Sequence, residues 1–148
     1  MGRPAESRKA LLQSLELQPQ SYTSLRSLLA LAVATKAPDA ATWAAKLYQL
    51  NSADDQMFVD IMDIYQAQAQ WAEAEAFFSS QVLTAPAQPA AQGLLHFYLA
   101  ILNMQLQRPQ VARPHFLTAQ TQLRKVAKAE NPMFEIIAKG LAESKPKP

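Results

Sequence analysis

The segment GLLHFYLAILNMQLQRPQVARPHFLTA, residues 93–119, decides how the rest of the chain is read. Its first part is nearly all apolar, interrupted by His96, and it meets a polar break at Gln107, Arg108 and Pro109. Beyond the break, Ala112, Phe116 and Ala119 follow at spacings of four and three. On a helix that spacing stacks the three side chains along one stripe. The two small residues let a neighbouring helix approach, and the ring fills the space beside them. The segment therefore reads as helix, short turn, helix, and the pattern recurs upstream as a stack of helical hairpins.

Composition agrees. The chain has 148 residues, enough for one domain with a real core, and about half of them (49%) are apolar. Only 3 glycines occur, so helix is favoured almost everywhere, and most of the 10 prolines fall between periodic segments. The absence of cysteine excludes disulfides, thiolate metal sites and a cysteine nucleophile. The opening residues lack the apolar core of a secretory signal, and neither apolar run, 28–34 or 94–102, approaches the roughly 20 residues that span a bilayer. The expectation is a soluble chain, cytoplasmic or periplasmic, with its compartment left open and no membrane insertion by this segment. Charge is uneven: residues 51–100 hold no Lys or Arg but include Asp54, Asp55, Asp60, Asp63, Glu73 and Glu75. Basic residues dominate afterwards. Solvated helix faces are the plainer explanation of that polarity, and steering of a charged partner is the other.

Taken in order, a first helix over 5–17 carries Leu11, Leu12 and Leu15 and is closed by Pro19. Ser21 or Thr23 caps a second helix with Leu25, Leu28, Leu29, Ala32 and Val33 on one side, and Asp39 is expected to cap the third. The third shows Trp43, Ala44, Leu47 and Tyr48, and the fourth, capped by Ser52 or Asp54, shows Phe58, Ile61, Met62 and Tyr65. The fifth runs from Trp71 through Ala74, Phe77 and Phe78 to Val82. The sixth and seventh are the opening segment, the seventh extended by Leu123, Val126 and Ala127. Pro109 suits a first helical turn, and Pro114 lies near enough to that start to be tolerated. An eighth helix begins at Asn131–Pro132, with Phe134, Ile137, Ala138 and Leu141 facing inward. One domain over 5–143 results, with flexible tails at 1–4 and 144–148.

The second helices of successive hairpins align. Ala44 with Tyr48, Ala74 with Phe78, and Ala112 with Phe116 repeat at intervals of 30 and 38 residues, and Ala32, Met62 and Ala100 precede them by a constant twelve. Periods in this range signal stacked units that bury their faces against neighbours. The chain resembles the tetratricopeptide repeat family over residues 7–126. That family's second helix reads alanine, aromatic, alanine and a closing proline; Ala112, Phe116 and Ala119 match, as do Ala74, Phe78 and Pro86. Gln81 and Asn51 depart from the pattern, and the family's first-helix glycine is missing. The resemblance implies an all-α, right-handed stack of about three hairpins, with an N-terminal half-repeat helix and a C-terminal capping helix. It further implies a non-enzymatic scaffold that holds a peptide or partner helix in a concave groove. By family analogy the setting is a chaperone or assembly adaptor in a bacterial secretion or envelope system. The groove would be lined by Leu29, Val33, Lys36, Val59, Asp60, Asp63, Gln66, Phe97, Tyr98, Ile101, Met104 and Gln105. The other reading of Phe97, Tyr98 and Ile101 is plain core. Two alternatives to the groove are self-assembly through the ends of the stack and a segment of a larger array.

Signals for chemistry are thin. His96 and His115 lie on different helices with no carboxylate nearby in sequence, short of the three or four ligands zinc needs. Asp60 with Asp63 could hold a cation or act as acid and base, but a solvated acidic face is favoured. The glycines are too far apart for a phosphate loop, so no catalytic residue, metal or cofactor is expected. Arg124, Lys125 and Lys128 complement a helix end, and the acidic middle third would repel nucleic acid.

Overall fold

Three helices of this chain end in the same way. In a computed structural model that describes residues 3–148, Lys36, Ala69 and Gln107 adopt left-handed backbone conformations, with φ of 53°, 53° and 57°. Each is followed by a residue whose N–H reaches back over the turn: Ala37 to the Ala32 carbonyl at 2.8 Å, Gln70 to Tyr65 at 3.0 Å, Arg108 to Asn103 at 2.7 Å. This is the Schellman arrangement, which closes a helix and reverses the chain. The turns separate α2 (Tyr22–Ala34) from α3 (Ala40–Leu50), α4 (Asp55–Ala67) from α5 (Trp71–Gln81), and α6 (Pro89–Gln105) from α7 (Pro109–Leu123). Helix α1 (Pro4–Leu17) precedes them and α8 (Pro132–Glu143) follows. The described residues form eight helices and no strand, an all-α fold.

None of the three left-handed residues is glycine, so each holds its Cβ against the neighbouring carbonyl. Ala69 is exposed and has no other side-chain role. Ala69→Gly is expected to raise stability by about 0.5–1 kcal/mol, read as a higher midpoint in thermal unfolding. An unchanged or lower midpoint would show that the turn carries no such strain.

Helix starts follow local chemistry. The Ser21 hydroxyl accepts the Ser24 N–H at 3.3 Å, Asp54 accepts that of Gln56 at 3.0 Å, and Asn131 accepts that of Met133 at 3.0 Å. Prolines open α1, α6, α7 and α8, where a missing N–H costs nothing. Asp39 stands at the start of α3 but does not cap it. Its carboxylate instead accepts the Arg8 guanidinium at 2.6 Å and the Trp43 indole N–H at 3.0 Å, tying α1 to α3. The Arg8 hydrogen bond holds the Asp39 carboxyl below its usual range.

Several boundaries differ from the sequence reading. Helix α6 begins at Pro89, because proline at a first turn extends it across the expected loop. Helix α5 stops at Gln81, ahead of Val82. Helix α7 stops at Leu123, so Val126 is exposed in a link and Ala127 is half-buried there. On α8 Ile137 and Gly140 are buried and Phe134 and Leu141 pack half-buried against the core, as expected of the inward face, while Ala138 faces solvent. Ser144 is buried rather than part of a tail. Of the expected N-terminal tail, Met1 and Gly2 lie outside the described residues, and Pro4 already belongs to α1.

Packing is serial. Beyond the pairs joined by turns, α2 touches α4, α4 touches α6, α6 touches α8, and α3 touches α5. The repeated pairs Ala44–Tyr48, Ala74–Phe78 and Ala112–Phe116 are all buried, as are Ala32, Met62 and Ala100 on the preceding helices. An aromatic chain crosses four helices: Tyr98 of α6 stacks on Phe58 of α4 at 5.2 Å, Phe58 stacks on Phe78 of α5 at 5.5 Å, and Tyr48 of α3 meets Phe58 edge-on at 5.7 Å.

Candidate functional site

Helices α2, α4, α6 and α8 touch in series. Polar bonds tie α4 to α2 and α6. On α2, the Tyr22 hydroxyl donates to Asp60 of α4, and Arg26 lies 3.5 Å from the same carboxylate. Gln56, one turn before Asp60, donates to its other oxygen at 3.0 Å. On α6, the Tyr98 hydroxyl donates to Asp55 of α4 at 2.5 Å. Burial, then the aspartate bonds, push both phenols well above their ordinary range, so they remain donors at any physiological pH.

The expected groove residues separate into two groups. Leu29, Val33, Phe97 and Tyr98 are core: their exposures are 0%, 0%, 4% and 9%. They cannot line a groove, because their surfaces are spent against neighbouring helices and, for Tyr98, against Phe58. A carboxylate at position 98 would be buried in the aromatic chain, so that position is no probe of a surface. Lys36 points elsewhere, into an open cleft of about 670 Å³ lined also by Tyr65, Gln70, Glu73 and Phe77. There burial, and secondarily Glu73, push the Tyr65 hydroxyl up to about 12. Val59, Ile101 and Met104 are half-buried against the core, while Gln66 and Gln105 are exposed.

Asp60 and Asp63 have different situations. Asp60 is half-buried and already engaged by three side chains, which leaves it structural. Asp63 is exposed and enters no ion pair or side-chain hydrogen bond among the described residues. Its charge adds to the upward shift of the Tyr98 hydroxyl, after burial and the Asp55 bond. Sequence reasoning does not single out Tyr22, Arg26 or Gln56, and names Asp55 only within the acidic stretch. The signal lay in the four-residue spacing of Tyr22 with Arg26 and of Gln56 with Asp60, a polar stripe on each helix.

On another side of α6 the structure joins two residues that the sequence left apart. His96 Nδ1 and His115 Nδ1 of α7 are 2.8 Å apart, with ring centroids at 5.1 Å. The centroid separation exceeds the nitrogen separation by about the sum of two ring radii, so the rings meet end-on as donor and acceptor. The two residues lie on either side of the turn at 106–108, where the antiparallel α6–α7 hairpin brings their rings together. Burial lowers the proton affinity of both, with Glu75 of α5 partly opposing it at His115. No group of three or more His, Asp or Glu side chains able to hold a metal occurs among the described residues. Arg124, Lys125 and Lys128 are exposed in the link after α7. No described helix is long and apolar enough to cross a membrane.

Comparison with protein-family models, with curated proteins and with solved structures gives no match.

Proposed function

We propose that the chain is a tetratricopeptide-type scaffold, without catalytic activity of its own, that holds a segment of another protein across the outward face of α4 and α6. Three features support the stack: the same Schellman turn after α2, α4 and α6, the recurrence of the buried small–aromatic pair, and side-by-side contact of the even-numbered helices. One observation carries the functional reading. Asp63 is an exposed carboxylate with no ion-pair partner among the described residues, one turn after the half-buried Val59 on α4, and α4 touches α6, which carries the half-buried Ile101 and Met104. Such a surface suits a short segment with an aliphatic anchor and a Lys or Arg. Met104 supplies adaptable contact area.

The test uses peptides selected against the wild-type domain, with binding measured by fluorescence anisotropy. Selected sequences should pair an aliphatic residue with a cation. Asp63→Lys should weaken binding about tenfold or more, and rising salt should do the same to the wild type. Asp63 is exposed, so the variant should keep the wild-type helical signal. Peptides that bind equally to Asp63→Lys, or a selection with no basic preference, would remove the site from this face.

A further inference from the structure

We propose that His96 and His115 form a proton-operated clasp between α6 and α7, closed while the pair shares a proton across its facing nitrogens and opened when both of those nitrogens are protonated. Proton counting gives the states. In the neutral pair one ring carries its proton on Nδ1 and donates it, while the other carries its proton on Nε2 and accepts at Nδ1. A first added proton goes to Nε2 of the donor ring. That ring becomes imidazolium, and the Nδ1–H···Nδ1 bond is kept and charge-assisted. A second added proton has one nitrogen left, the accepting Nδ1. Two N–H groups then point at each other across 2.8 Å, the hydrogen bond is gone, and two positive charges face one another. The rings must part.

The location gives that event leverage. Helices α6 and α7 make the most extensive helix pairing in the molecule. It is close enough that a Cβ on Gly93 would lie 2.6 Å from the Leu123 side chain. Of the charged groups, Glu75 from α5 favours a charged His115, while burial and then its partner disfavour a charged His96. Glu75 can offset one charge. It cannot restore a donor–acceptor pair once both nitrogens are protonated. The sign of the stability effect follows. The unfolded chain takes up both protons near the ordinary histidine value of 6.5, and the folded chain only below it. Stability is therefore full above 6.5 and falls as pH drops through the interval beneath it.

The experiment is a histidine ring nitrogen NMR titration of the whole chain from about pH 7.5 to about pH 4.5, with amide exchange followed in α7. Two unequal steps, both below the ordinary value, are expected, because the sites are coupled. In the second step α7 amides should exchange about tenfold faster than the intrinsic pH dependence allows. His115→Gln and, as a separate background, His96→Gln should each titrate in one step and lose that excess exchange. Two independent titrations near the ordinary value would overturn the proposal, as would α7 exchange that follows the same pH course in either variant. Should one variant fail to fold, the wild-type titration and the other variant still decide.

Discussion

Phe58→Ala should lower the free energy of unfolding by about 3–5 kcal/mol, the largest single-residue effect expected in this chain. Phe58 has no exposed surface and is in ring contact with Tyr48, Phe78 and Tyr98, which come from three other helices. Removing the ring leaves a cavity whose walls belong to four elements, and no single side chain can swing in to fill it. Because a domain of this size is stable by only about 5–15 kcal/mol, the variant should be unfolded in part at physiological temperature. Urea denaturation followed by circular dichroism measures the change. Phe58→Leu, which keeps most of the volume, should cost less than half as much. A loss below about 1 kcal/mol for the alanine variant would mean that the four rings do not share one core.

Gly140→Ala tests the other end of the molecule and turns on a sign. Within a helix, replacing glycine by alanine ordinarily stabilises by close to 1 kcal/mol, since it removes backbone freedom from the unfolded chain. In α8 the added Cβ would run into the Phe116 ring, which is itself only 1% exposed and flanked by Ala112 and Ala119. The ring cannot retreat into a filled core, so α8 must lift. A net destabilisation of about 1–3 kcal/mol is expected, with faster amide exchange concentrated in α8. Restoring space with Phe116→Leu should recover part of the loss in the double variant, a positive coupling that independent sites would not show. Higher stability in Gly140→Ala would place α8 away from Phe116. The Arg113 guanidinium donates to the carbonyl of Leu141, the residue after Gly140, at 2.7 Å, so lifting α8 at position 140 would strain that bond as well.

The pairing of these two variants also separates two kinds of information. Spacing alone marks Phe58 and Phe116 as inward: Phe58 shares a helical stripe with Ile61, Met62 and Tyr65, and Phe116 with Ala112 and Ala119. Gly140 carried no comparable signal. Its role depends on which ring from another helix arrives opposite it.

By itself, then, the sequence determined that the chain is helical, roughly where its eight helices lie, and which small–aromatic pairs repeat in its core. These properties are local: propensity, capping residues and apolar period act within a few turns of one helix. Three things waited for tertiary structure. The left-handed, Schellman geometry of the turns after α2, α4 and α6 was not legible, although their positions were, because Lys36, Ala69 and Gln107 show none of the glycine signature of a left-handed residue. The burial of Phe97 and Tyr98 was left open because α6 is apolar nearly all round. Such a helix is enclosed by neighbours on several sides, and its own pattern names no outward face. The meeting of His96 with His115, and of Tyr22 with Asp60, depends on the register of one helix against another, which is set by the summed packing of both surfaces and written in neither alone.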